Sequence, residues 1–147
     1  MSIPFKLCLP RVLLDEMIAQ AKAELPNECV GLLAGTIVGD HSLAPIPLGK
    51  VEKRYPLVNE LASPTEFFSE PRSMLAADRD MRSNNFEMLA IYHSHPTSRP
   101  FPSAKDRERS YSSNVVNVII SLKGDPPEVR AWWITEADHR EAEWELI

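Results

Sequence analysis

The sequence predicts a mixed α/β (α+β) protein, with one sheet of short strands flanked by helices. Three observations carry this expectation. From Arg11 to Leu25, apolar residues recur at Leu14, Met17, Ile18, Ala21 and Leu25, the spacing of one helix face. Val115, Val116, Val118, Ile119 and Ile120 crowd one short segment, Asn114 to Leu122, which reads as a buried strand. Such segments follow one another as β, α, several β, α, β, short α and a closing hairpin, an order that sets helices against a mixed sheet. The 147 residues suffice for a single domain, 1–147, with one core.

Phe5 to Leu9 reads as the first strand, closed by Pro10, and Pro26 stops the helix that follows. Glu28 to Val38 is a buried strand ending in a turn at Gly39-Asp40. Pro45 and Pro47 make any strand over His41 to Pro47 an edge strand. Lys53 to Asn59 and Thr65 to Ser69 are further short strands, joined by a turn at Ala62-Ser63-Pro64. Pro71 suits a first helical position, Met74, Leu75, Asp78 and Met81 share helical spacing, and Asn84-Asn85 supply a left-handed stop. Glu87 to Tyr92 is a strand that runs into His93 and His95. Arg107-Glu108-Arg109 is expected as a solvated helix face with Tyr111 beneath it. Lys123 to Pro127 is a turn, and Glu128 to Thr135 with Arg140 to Leu146 form the closing hairpin. Trp132, Trp133 and Trp144 are expected to pack in the core or on the sheet, and His41 and His139 to be solvated.

Composition narrows the function. A net charge of −5 and a pI near 5.4 argue against a nucleic-acid backbone as partner. No apolar run approaches the ~20 residues of a membrane helix. Met1 to Lys6 lacks the makeup of a signal peptide, so cytoplasm is the expected compartment. Cys8 and Cys29 are too few for a disulfide framework and are expected as buried thiols.

The chemistry is concentrated in His93-Ser94-His95-Pro96 and Pro102-Ser103-Ala104-Lys105-Asp106. On a strand, residues two apart share a face, so His93 and His95 project together while Ser94 points away. Two imidazoles and one carboxylate are ligand types that zinc takes, and three protein ligands with a place left for water describe a catalytic site. A plainer reading stands beside it: two solvated histidines, and Ser103 with Asp106 as a capping box. The two are compatible, because a helix start can hold Asp106 at a metal while the Ser103 hydroxyl turns inward. Glu28, taken alone, reads as a solvated carboxylate just past a helix end.

With Glu28 in Asn27-Glu28-Cys29-Val30-Gly31 upstream, the pattern resembles the signature of the JAMM (also JAB or MPN-plus) metallopeptidases. Their signature is a glutamate, then His-Ser/Thr-His-Pro, seven residues to a serine, and an aspartate three further on. The resemblance covers nearly the whole chain and matches the minimal stand-alone prokaryotic type. It implies a curved, mostly antiparallel sheet akin to the cytidine deaminase fold. It implies one Zn2+ per chain on His93, His95 and Asp106, with Glu28 as general base and Ser103 as hydrogen-bond donor to the oxyanion; Ser94 would have a supporting or packing role. It also implies cleavage of the amide bond after the Gly-Gly end of a ubiquitin-like sulfur-carrier protein or its conjugate.

Other readings fare worse. A cytidine deaminase needs His-x-Glu and Pro-Cys-x-x-Cys, which are absent. A silent scaffold of the same fold typically lacks a ligand, and all are present. A DNA-repair-associated relative usually has Asn between the histidines and Gly soon after, where Ser94 and Ser98 stand. A deubiquitinase-like isopeptidase of broader specificity carries ubiquitin-gripping insertions for which little length is spare. No oligomeric state is read from the sequence.

Overall fold

The computed structural model describes residues 4–39, 46–108 and 113–147. In chain order they form β1 (Lys6–Leu9), α1 (Arg11–Ala23), β2 (Val30–Val38), β3 (Leu48–Leu57), α2 (Pro71–Ser83), β4 (Glu87–His95), α3 (Ala104–Glu108), β5 (Val116–Ser121), β6 (Glu128–Ile134), β7 (His139–Glu141) and β8 (Trp144–Leu146). The eight strands make one sheet in the order β7-β6-β5-β4-β2-β3-β1-β8. It is mixed: β2–β3, β2–β4, β5–β6 and β6–β7 are antiparallel, whereas β1–β3, β1–β8 and β4–β5 are parallel.

The two ends of this sheet are joined by Ala142 and Glu143 alone. Ala142 N–H donates to Ala131 O on β6 (2.9 Å), and Glu143 O accepts from Leu7 N–H on β1 (3.0 Å). Two residues span little distance, so the sheet must curl until its edges nearly meet. The expected closing hairpin is therefore only half right. β6 and β7 form it, but Trp144–Leu146 leaves for the far edge and runs parallel to β1.

The helices take opposite faces, and the side-chain alternation of β2 and β4 follows them. Leu14, Met17 and Ala21 of α1 pack with Leu33, Ala90 and Tyr92. Ala77 and Met81 of α2 pack with Val30, Leu32, Ala34 and Ile91. Leu25 falls outside the stripe because α1 ends at Ala23, and it is exposed. Tyr92 lies over Gly31, where a Cβ would come within 2.1 Å of the phenol carbon Cζ. Its hydroxyl donates to Gln20 Oε1 (2.5 Å) and accepts from Arg54 Nη1 (3.0 Å), so β4 is bonded to both α1 and β3.

Helix α2 begins as Pro71 predicts, with a cap the sequence reading missed. Glu70 accepts from Arg72 N–H (2.7 Å) and Ser73 N–H (3.1 Å). It ends on Asn84, and Asn85 adopts the left-handed conformation (φ 56°).

Three further expectations need correction. The strand placed at Lys53 starts at Leu48 and lies inside the sheet between β2 and β1. It tolerates Pro56 because the short β1 pairs only with Leu48 to Lys50, leaving β3 one neighbour at that point. Thr65 to Ser69 is a loop closed by a single bridge, Asn59 to Ser69, because the Asn59 side chain takes up its main-chain groups. His139 is half-buried, edge-on to Trp132 (5.2 Å between ring centres), rather than solvated. Asp40, His41, Pro45, Arg109 and Tyr111 lie outside the described residues, so the expectations for them do too. Among the described residues, no helix is long and apolar enough to cross a membrane.

Candidate metal centre

Residues Ile91, His93 and His95 share the face of β4 opposite Tyr92 and Ser94. Both imidazoles are buried, and their Nε2 atoms lie 3.2 Å apart. Asp106 reaches them from α3, with Oδ1 3.2 Å from His93 Nε2 and Oδ2 3.2 Å from His95 Nε2. Its position is set by a reciprocal cap: Asp106 N–H donates to Ser103 Oγ (3.1 Å), and Ser103 N–H donates to Asp106 Oδ2 (2.9 Å). The capping box and the carboxylate beside the histidines are one arrangement.

These three residues are a group that could hold a metal ion. His95 Nδ1–H donates to Arg99 O (2.8 Å), which leaves an Nε2 lone pair facing the Asp106 carboxylate in the neutral ring. Two acceptors at 3.2 Å repel unless a proton or a cation lies between them. Bonds of about 2.0–2.2 Å in a tetrahedron put neighbouring ligand atoms roughly 3.3–3.5 Å apart, close to the separations here. The donor set fits a divalent ion.

The charges are arranged accordingly. Burial works against the Asp106 carboxylate, but the charge of His93 and hydrogen bonds with His93, His95 and Ser103 N–H hold its pKa far below the usual range. Burial would lower the pKa of His95, yet its bonds to Asp106 and Arg99 O raise it.

Glu28 comes to the same place from the turn before β2. It is 4% exposed, and its Oε1 has no hydrogen-bond partner. Burial raises its pKa to about 7, against the lowering effect of His93 and His95. Its neighbour Cys29 is pushed up to about 11 by burial, which leaves a thiol and no nucleophile. Ser94 faces the other way, as expected, and its Oγ accepts from Cys29 N–H (2.8 Å).

The structure therefore brings together Glu28, His93, His95, Ser103 and Asp106. It also adds residues that the sequence reading passed over. Phe67 covers the His93 ring at 4.7 Å and 34°. Arg99 supplies the carbonyl for His95, and the loop carrying it is held where Pro100 O accepts from Trp132 Nε1–H (2.9 Å). Asn59 bonds the main chain of Glu28. An asparagine opening the turn before Ala62-Ser63-Pro64 was the one local signal available for it.

The family described as prokaryotic homologs of the JAB domain matches residues 10–135. The chain belongs to that family. It is 38% identical over 78 residues to a desampylase of Pyrococcus furiosus, covering 53% of this chain and 54% of that one. It is 37% identical over 101 residues to a probable TtuB-protein conjugate cleaving protease of Thermus thermophilus, covering 68% and 60%. The chain thus spans between half and two thirds of the length of these relatives. The solution structure of a Desulfitobacterium hafniense protein superimposes with a TM-score of 0.83 at 36% identity, over 96% of this chain and 92% of that one. Within the JAB family, the mixed, curled sheet with helices on both faces is the expected architecture.

Proposed function

We propose that this JAB-family chain is a zinc-dependent peptidase or isopeptidase that hydrolyses the amide bond after the Gly-Gly terminus of a ubiquitin-like sulfur-carrier protein. The observation that carries the reading is the Glu28 carboxylate: buried, with Oε1 unpartnered, and set beside two histidines and an aspartate whose ligand atoms converge. A carboxylate is costly to bury without partners, and a basicity near neutrality is what a general base needs. The relative named for cleaving TtuB–protein conjugates supports the substrate class.

In this reading His93, His95 and Asp106 hold the zinc. When bound, the zinc supplies a Lewis acid for the scissile carbonyl and makes water more acidic. Glu28 takes a proton from the attacking water as its oxygen bonds to the carbonyl carbon, and delivers that proton to the amine nitrogen as the C–N bond breaks. Ser103 Oγ already accepts from Asp106 N–H, so its own proton is free for the oxyanion. The Ser94 bond to Cys29 keeps the strand of the histidines in register with Glu28.

The test is metal content together with cleavage of a linear fusion in which a ubiquitin-like sulfur carrier ends in Gly-Gly before a reporter. Wild type should hold about one zinc and cut after Gly-Gly, and Glu28→Gln should keep the metal and stop cutting. A zinc-loaded wild type that leaves such fusions intact would overturn the substrate class, and a protein that takes up no divalent ion would overturn the reading itself.

A further inference from the structure

We infer that Asn59 is a positioning residue for this reaction, holding Glu28 and the loop over His93 in their working arrangement; the inference rests on the function proposed above. Asn59 is 7% exposed, and its amide makes four hydrogen bonds, all to main chain. Nδ2 donates to Glu28 O (3.0 Å) and to Glu66 O (2.9 Å). Oδ1 accepts from Leu61 N–H (3.1 Å) and Phe68 N–H (3.1 Å). Both amide hydrogens meet carbonyls and the oxygen meets two N–H groups, so turning the amide over would break all four matches.

What the amide holds is the machinery. Glu28 precedes β2 and has no place in its ladder, so its main chain depends on this loop. Its N–H donates to Ser63 O (2.8 Å) and its carbonyl accepts from Asn59. The loop also carries Phe67, whose ring lies on His93, between Glu66 and Phe68, two of the four residues that Asn59 bonds. On its outer side, Glu66 pairs with Lys105 (3.1 Å), the residue before Asp106. One side chain therefore links the proposed base, the ring covering one histidine and, through Glu66, the helix that carries the aspartate. Asn59 touches none of the three candidate ligands, so its effect should fall on turnover and leave metal binding alone.

The experiment compares wild type, Asn59→Asp and Asn59→Ala, each full-length and zinc-loaded, on the Gly-Gly fusion. Asn59→Asp is isosteric and keeps both acceptor bonds, but sets a carboxylate against the carbonyls of Glu28 and Glu66. Displacing a catalytic group by about 1 Å can cost on the order of 100-fold in rate. Both variants should lose about 10- to 100-fold in kcat per bound zinc, with zinc stoichiometry unchanged and KM within about threefold of wild type. A residue that merely braced the fold would lower the melting temperature and the folded fraction without this split. Should Asn59→Ala fail to fold, Asn59→Asp decides the matter. An Asn59→Asp protein with wild-type kcat overturns the inference and leaves the functional reading standing, whereas a zinc-loaded wild type that leaves the fusion intact overturns the substrate class and, with it, the inference.

Discussion

The Ser94 hydroxyl accepts a hydrogen bond of 2.8 Å from Cys29 N–H, and Ser94 N–H returns one of 3.2 Å to Cys29 O. The residue between the two histidines is thus bonded on both sides to the residue after Glu28. Ser94→Ala would leave the buried Cys29 N–H without a partner, a loss of about 1–3 kcal/mol. Urea unfolding should show it as a lower midpoint at an unchanged slope. A midpoint equal to wild type would mean that another group takes up the N–H.

Glu28 makes the metal-free protein less stable as pH rises. Its folded pKa of about 7 exceeds the ordinary 4.5, so between these values the folded state keeps a proton that the unfolded state has lost. Below pH 4.5 there is no cost. Well above pH 7 the cost is complete, about 3 kcal/mol. Glu28→Gln should therefore match wild type at pH 4 and melt higher at pH 8, both without metal. Equal melting at pH 8 would mean that water reaches the carboxylate.

A divalent ion should stabilise the fold. Ligand at 100 times its dissociation constant adds about 2.7 kcal/mol. Chelation should lower the melting temperature of wild type, and the metal should restore it. His93→Ala and Asp106→Ala should melt alike with and without chelator, and Asp106→Ala should lose a further ~1 kcal/mol with its cap. A chelator-sensitive His93→Ala protein would place the ion elsewhere.

Gly31→Ala should destabilise the protein by about 1–3 kcal/mol, as overpacking does. The new methyl meets the Tyr92 ring, which bonds to Gln20 and Arg54 keep from swinging aside. A thermal melt checks it, and an unchanged melting temperature would show that the ring yields.

Neither thiol should react with a disulfide reagent at pH 8 while the protein is folded. Cys8 and Cys29 are both buried, and burial raises both pKa values, with Glu145 adding to the effect at Cys8. Two thiols should appear in denaturant, and prompt labelling of the native protein would contradict the packing at β1 or at Cys29.

Much of the site was legible because its rules are short-range. The period of two on a strand put His93 and His95 together and turned Ser94 away, as observed. The spacing of Ser103 and Asp106 predicted a capping box, and its two hydrogen bonds form. Glu28 was different. Its residues alone read as a solvated carboxylate, and only the pairing of β2 with β4, Val30 opposite His93, brings it to the histidines. The strand expected over Thr65 to Ser69 failed for a similar reason, since its main-chain partner is the side chain of Asn59 rather than another strand.

By itself, then, the sequence determined the helices, the buried strands, the three candidate ligands and the face that each of them takes on its own element. Propensity, periodicity and capping act within a few residues, so a local stretch contains all the information they need. The tertiary structure alone decided that Trp144–Leu146 crosses to β1, that Glu28 is desolvated and that Asn59 bridges it to the loop over His93. Each depends on which distant segments exclude water from one another, and that follows from how the whole sheet closes.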